Sequence, residues 1–488
     1  MPLDHASPQI LFDNSYGRLP DRFFAHQLPV PVPDPRIVRI NVDLAARLGI
    51  DPAALDADFL AGNRIAAGST PIAQAYSGHQ FGHFSPLLGD GRAVLLGEIV
   101  APGGQRFDLQ LKGSGRTRFS RGGDGRAALG PVLREYILGE GMHGLGIPTT
   151  RALAAVTTGQ AVQRETALPG AVLARVAASH LRVGTFQYFA SQNDEEGVRI
   201  LADYAIARHY PDCAGDYPAF LRAVVARQAE LVASWLLVGF IHGVMNTDNV
   251  SISGETIDYG PCAFMDQYDP ATVFSSIDHA GRYAYGRQPR IAGWNLARFA
   301  ETLLPLLAPA QEDAIEIAKA AIAGFGERFE TAYLGGLRRK IGLETERDGD
   351  GDDDLTQDLL RHMQEGAADW TLTFRALADA ADGNDEPVRA LFSPAAAFDA
   401  WAPAWHARLA AEPCPDRARA MRAVNPLYIP RNHLVEAALS AATQDANYAP
   451  FEQLLDVLAR PFEERPGLER FTLPPRPEER VLATFCGT

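Results

Sequence analysis

Lys112 closes the run RFDLQLK, and Glu135 follows 23 residues later in a stretch of helical period. A lysine ammonium can meet a phosphate, and a carboxylate on a neighbouring element can hold that ammonium in place. On this pair alone, a surface lysine and a solvated glutamate is an equally good reading. Asn249 and Asp258 stand 9 residues apart in a loop segment. An amide oxygen and a carboxylate are hard ligands, suited to a Mg²⁺ ion that bridges phosphates. Gly89 and Gly91 precede the run RAVLLGEI. Glycines there let backbone N–H groups approach a phosphate or ribose, although Gly-Asp-Gly is also a common turn.

Other candidates fail on their own chemistry. There is no GxxxxGK[ST], no HExxH and no GxSxG. His79 and His83 have the i,i+4 spacing of a helical metal pair, but Gly78, Gly82 and Pro86 argue against a helix, so they read as loop histidines. DGDGDDD, from Asp348 to Asp354, resembles the start of a calcium loop. It has Asp353 where glycine is wanted and Leu359 where glutamate is needed, and reads as a solvated acidic loop leading into a helix.

The elements that must position these residues follow from period and punctuation. Residues 1 to 85 are loop-rich, with a proline-bearing extended stretch from Leu28 to Pro35 and a short helix from Val42 closed by Gly49. RAVLLGEIVAP and RFDLQLKG, joined at Gly103 and Gly104, read as a hairpin. Leu129 to Leu145 is helical, ended by Gly146 and Pro148. Ala171 to Phe189 stays open between strand and helix. Phe220 to Ile241 reads as one strong helix, His242 to Asp258 as a loop, and the chain after Trp294 as mostly helical. The fold class is therefore α+β with a helical C-terminal region. The chain has 488 residues, 47% hydrophobic and 22% charged, with net charge −15. Such a chain is a poor non-specific binder of nucleic acid or anionic membrane, and a local basic cluster must hold any anionic substrate. Four cysteines without a CxxC pair make neither a disulfide framework nor a structural zinc site. The N-terminus lacks the apolar core of a signal peptide and no apolar run is long enough to span a bilayer, so the expected location is cytoplasmic.

The order of the chemical residues is more specific than any one of them. A glycine-rich turn, a strand lysine, a helix glutamate, HGVMNTDN from His242 to Asn249, and then DYG from Asp258 to Gly260 follow the protein-kinase order. Two positions break it. Val94 falls where the third glycine of the kinase loop would stand, and Val244 occupies the position of the proton-accepting aspartate. Asp248 is the nearby carboxylate on that loop. Either catalysis is absent, or the base has moved and the nucleotide lies differently.

QAYSGHQFGHFSPLLGDGRAVLLGE (74 to 98), LQLKGSGRTRFSRGGDGRAALGPVLREY (109 to 136), HGVMNTDN with DYGPCAF, NPLYIPRNHLVEAA (425 to 438) and the tail FCGT resemble the selenoprotein O (SelO/YdiU) family of kinase-like protein adenylyltransferases over essentially the whole chain. The resemblance implies a protein-kinase-like two-lobe fold: an N-terminal extension (1–85), a nucleotide-binding lobe (86–190), a catalytic lobe (191–300) and a helical region (301–488). It implies ATP bound in a flipped orientation and AMP moved onto Ser, Thr or Tyr hydroxyls of proteins, redox proteins among the expected partners, with release of pyrophosphate. Lys112 would contact the phosphates and Glu135 would orient it. Arg175 and Arg182 would hold phosphates, and Gly89, Gly91, Arg92, Asp124 and Gly125 would line the nucleotide. Asn249 and Asp258 would hold Mg²⁺ or Mn²⁺, Asp258 also touching the nucleotide, and Asp248 would accept the proton. Cys486 stands where many eukaryotic members carry selenocysteine, and a redox-labile pair with Cys262 is an expectation beside two unpaired thiols. UMP transfer from UTP, ordinary kinase chemistry and a non-catalytic nucleotide scaffold remain as alternatives.

Overall fold

The computed structural model describes residues 10–345 and 351–485. Its strands are β1 (Phe24–His26), β2 (Arg36–Ile40), β3 (Ile72–Gln74), β4 (Gly78–Gln80), β5 (His83–Ser85), β6 (Ala93–Val100), β7 (Arg106–Lys112), β8 (Ala127–Ala128), β9 (Arg151–Gln163), β10 (Ala167–Ala177), β11 (Phe240–Ile241) and β12 (Ala263–Phe264). One antiparallel sheet runs β1-β3-β6-β7-β10-β9-β2, with β8 beside β10. β4 and β5 form a separate hairpin, and β11 pairs with β12.

The helices are α1 (Val42–Leu48), α2 (Ala57–Ala61), α3 (Leu129–Gly144), α4 (Val183–Ala190), α5 (Glu195–His209), α6 (Tyr217–Leu237), α7 (Gln288–Leu307), α8 (Gln311–Lys340), α9 (Gly351–Glu365), α10 (Trp370–Ala381), α11 (Glu386–Arg389), α12 (Ala396–Ala410), α13 (Arg417–Val424), α14 (Asn432–Asp445) and α15 (Ala449–Leu458). The result is a mixed α/β molecule, sheet-bearing in its N-terminal part and helical in its C-terminal part, as the periodicities indicate.

The period of two sorts the sheet's side chains. Val172 and Ala174 of β10 join Val94, Leu96, Leu109, Leu111 and Val156 beneath Leu44 and Leu48 of α1 and Phe59 and Leu60 of α2. Leu173, between them, faces the other way, into a core with Leu129, Val132, Leu133 and Tyr136 of α3. That second core continues without interruption into α6, α7 and the later helices. The site lies where the α3 face of the sheet meets this helical half.

Several expectations change in detail. The segment from Ala171 to Phe189 is both strand and helix: β10 ends at Ala177 and α4 starts at Val183. The long apolar run breaks at Gly239, whose φ of +74° ends α6 and starts β11. Trp370 Cδ1 would lie 2.9 Å from a Cβ at Gly239, so the break also seats a large core side chain. The 13-residue β9 was not anticipated, because RALAAVTTGQAVQ is rich in alanine and its strand state comes from pairing with β10 and β2. β1, β2 and β3 belong to the stretch read as loop-rich; strands of 3 to 5 residues carry little period. His79 and His83 lie on β4 and β5, and Asp352 and Asp353 open α9 while pairing with Arg408 and Arg338. Residues 348–350 of the acidic run and Cys486 lie outside the described residues.

Candidate functional site

A cleft of about 540 Å³ opens between the sheet and the helical half, within the ~300–1,000 Å³ of small-molecule sites. Gly89, Gly91, Arg92, Lys112, Asp124, Gly125, Glu135, Arg175, Arg182, Asp248, Asn249 and Asp258 all line it. Cys262 does not: it is buried just beyond the Asp258 loop.

The pleat explains how the charged floor forms. Lys112 pairs with Leu173 and Gln110 with Arg175, so Lys112 and Arg175 project on the sheet face that α3 covers. Glu135 comes down from α3 onto that face. Lys112 Nζ donates to Glu135 Oε2 at 2.5 Å and to Asp258 Oδ1 at 2.7 Å. Arg175 donates to Glu135 Oε1 at 3.0 Å, to Asp258 Oδ1 at 2.6 Å and to Gln110 Oε1 at 2.6 Å. Arg182, at the start of α4, reaches Asp258 Oδ2 at 2.6 Å and the Asp248 carbonyl at 2.8 Å, and its guanidinium lies 4.7 Å from the centre of the Tyr76 ring.

Three cations, Lys112, Arg175 and Arg182, thus face the two carboxylates of Glu135 and Asp258. Burial pushes Asp258 up, but Lys112, Arg182 and Arg175 outweigh it and hold the carboxyl well below its usual range. Glu135 is likewise lowered, burial being overcome by Lys112 and Arg175. Asp258 holds φ at +61°, where a non-glycine residue is uncommon. Its backbone is bent so that one carboxylate meets all three cations. An anion with several charges can take over these cations from Asp258, and a polyphosphate has that chemistry.

Asp248 sits in the turn Thr247–Asn249, where Arg182 donates to its carbonyl at 2.8 Å and Gln80 to its Oδ2 at 3.3 Å. Burial raises its pKa to about 6, against the opposing pull of Arg182, a backbone N–H and Gln80. A carboxylate poised there suits a general base near neutral pH. Val244 also lines the cleft and is apolar, so it takes no proton.

The donor set fits a hard cation. Asn249 spends its amide N–H on the Val244 carbonyl at 2.9 Å, which leaves Oδ1 as its acceptor. Among the described residues no group of three or more His, Cys, Asp or Glu could hold a metal by itself. One carboxylate and one amide oxygen suit Mg²⁺, which commonly completes its shell with phosphate oxygens and water.

Four contributors escaped sequence reasoning. Asp90 lies between the two glycines read for their backbone. It accepts from Gln74 N at 3.0 Å and Gln110 Nε2 at 3.3 Å, and burial raises it to about 6. Tyr76 and Gln80 sit on a segment read for its histidines and for the family resemblance, with no role given to these two side chains. Arg134, beside Glu135, donates to the carbonyls of Gly260 at 3.1 Å and Cys262 at 2.6 Å and to Glu436 of α14 at 2.6 Å. The C-terminal region therefore grips the Asp258 loop. Asn432 donates to the Phe264 carbonyl at 2.8 Å, and Thr484 Oγ1 to the Pro261 carbonyl at 2.5 Å. No local signal marks such contacts, which join positions far apart in the chain.

Residues 8–459 match the family model described as protein adenylyltransferase SelO. The chain belongs to the SelO family. A SelO relative from Bradyrhizobium diazoefficiens, named protein nucleotidyltransferase YdiU, is 62% identical over 98% of this chain and 99% of its own length. Relatives of the same name from Rhodopseudomonas palustris (strain BisB5) and Methylorubrum populi are 60% and 59% identical, each over 98% of this chain and 99% of their own length. This SelO chain is accordingly a nucleotidyltransferase, with ATP as substrate. Among the described residues no helix is long and apolar enough to cross a membrane.

Proposed function

We propose that this SelO protein moves AMP from ATP onto Ser, Thr or Tyr hydroxyls of proteins, on a protein-kinase-like two-lobe fold that holds ATP reversed. Residues 86–190 supply the nucleotide-binding lobe and residues 191–300 the catalytic one. The observation that carries the proposal is the exchange of carboxylates on the loop. Val244 stands where a kinase base would, while Asp248, next to Asn249, is buried at the cleft with its pKa raised to about 6.

In the reaction, the acceptor oxygen attacks the α-phosphorus and its proton passes to Asp248. The bond between the α-phosphorus and the oxygen bridging to the β-phosphorus breaks, and that oxygen leaves with pyrophosphate. Lys112, Arg175 and Arg182 neutralise the charge that builds on the leaving group, a task suited to preorganised cations in a partly dry site. Arginine serves here because its planar fork binds phosphate bidentately and stays charged. Glu135 keeps Lys112 and Arg175 aimed at the cleft. Gly89, Gly91, Arg92, Asp124 and Gly125 would line the nucleotide. Asn249 and Asp258 would hold Mg²⁺ or Mn²⁺, which when bound supplies further charge stabilisation to the phosphates.

The test is transfer of label to protein from ATP labelled at the α- or the γ-phosphate, with α-labelled UTP as competitor nucleotide. The proposal expects protein label from α-labelled ATP only. Label retained from γ-labelled ATP alone supports a kinase instead, and preference for UTP replaces AMP by UMP.

A further inference from the structure

The Asp248 turn is short and makes little structure of its own. The backbone bond that closes it runs from Asn249 N to Asn246 O at 2.9 Å. Part of what holds it comes from more than 160 residues away. Groups from β4 and from Phe81, the residue after it, meet Asn246, Thr247 and Asp248. Phe81 N donates to Asn246 Oδ1 at 3.0 Å, His79 N to Thr247 Oγ1 at 2.7 Å, and Gln80 Nε2 to Asp248 Oδ2 at 3.3 Å. Extended geometry makes this possible, because alternate N–H groups share one edge of a strand.

Most of these contacts are duplicated. Asn246 Oδ1 also accepts from Tyr283 OH at 2.7 Å, and Thr247 Oγ1 donates to Gln187 Oε1 at 2.6 Å. Gln187 Nε2 in turn meets His79 Nδ1 at 2.8 Å, which closes a ring from α4 through β4 to the turn. These bonds fix the backbone of the turn and leave the carboxylate of Asp248 free to rotate. Gln80 and Gly78 act on the carboxylate itself, beside the pull of Arg182 and a backbone N–H. Oδ2 accepts from Gln80, and Oδ1 is buried without a hydrogen-bond partner against Gly78, where a Cβ would lie 2.7 Å from it.

We infer that Gln80 is a positioning residue for the proton-accepting step, fixing the plane of the Asp248 carboxylate through Nε2 while Gly78 leaves the space that plane needs. The inference rests on the reading of Asp248 as the base. A contact of 3.3 Å is long, as hydrogen bonds at such sites often are before substrate arrives. Misplacing a catalytic group by about 1 Å can cost on the order of 10²-fold in rate, so losing one restraint gives roughly tenfold.

The experiment is a double-mutant cycle on the full chain, read as kcat and as ATP affinity by direct binding. Gln80→Leu removes the amide with little change of volume. It lowers kcat about tenfold with KM and Kd for ATP within twofold of the parent. Gly78→Ala, which presses on Oδ1, gives the same signature, and Gln80→Asn, which keeps the amide, recovers part of the loss. In the Asp248→Asn background, where residual turnover no longer uses the base, Gln80→Leu and Gly78→Ala have no further effect on kcat. A Gln80→Leu enzyme with parental kcat, or the same fold-loss in the Asp248→Asn background, overturns the inference and leaves the base assignment standing. Full turnover by Asp248→Asn alone overturns the base assignment, and the role of Gln80 falls with it.

Discussion

Replacing Asp258 by asparagine changes one charge at the point where three cations converge. Asparagine tolerates the left-handed backbone that Asp258 adopts, so the substitution isolates the charge from the conformation. Glu135 continues to pair with Lys112 and Arg175, but Arg182 loses its carboxylate partner and keeps the Asp248 carbonyl and the Tyr76 ring. Removing one partner of a buried pair costs about 3–5 kcal/mol. The Asp258 side chain is 19% exposed, which favours the lower end. At about 2.1 cal/mol/K per residue, 488 residues give an unfolding entropy near 1 kcal/mol/K, so Tm falls by about 3 °C. The nucleotide should reverse this loss. In EDTA, metal-free ATP offers the liberated cations the negative charge they lack, and in the parent the same phosphates must first displace Asp258. A ligand at 100 times its Kd contributes about 2.7 kcal/mol. The ATP-induced rise in Tm, measured by scanning calorimetry in EDTA, is therefore at least as large in Asp258→Asn as in the parent, while transfer activity in Mg²⁺ is lost. A nucleotide-free variant as stable as the parent, or one that ATP no longer stabilises, refutes this account of the floor.

Two further outcomes follow from other residues. Asp248→Ala retains ATP binding and loses transfer by roughly 10²-fold or more, the usual scale for a missing general base, measured by label incorporation at saturating ATP. His180 is buried, and burial lowers its pKa to about 4 despite its bond to Asp108 at 2.9 Å. The folded state therefore binds fewer protons than the unfolded one between pH 6.5 and 4. The contribution is present above pH 6.5 and is lost as pH falls through that window, about 3 kcal/mol in all. Denaturant titrations should show a shallower acid loss in His180→Gln than in the parent; equal slopes would mean that His180 is protonated in the fold.

Legibility in the sequence divides along physical lines. Residues singled out by type and order converge on one cleft. Lys112 and Glu135, which alone were as well explained by a solvated surface, meet at 2.5 Å in the cleft. Elements with a long period, such as α3 and the helices after Trp294, were equally plain. Short strands and β9 were not, since their state comes from distant partners. The same holds for the supports of the site. Gln80 and Arg134 act through contacts that join residues 126 to 168 positions apart, and Asp90 was overshadowed by its flanking glycines. A polar side chain whose task is to hold another carries no pattern until the chain is folded.

The central claim is the direction of the nucleotide, and a crystal structure with a non-hydrolysable ATP analogue and Mg²⁺ tests it most directly. The account predicts the α-phosphorus within reach of an acceptor oxygen bound at Asp248, with the β- and γ-phosphates among Lys112, Arg175 and Arg182. A γ-phosphate directed at Asp248, with the base buried deep between the two halves, would contradict it.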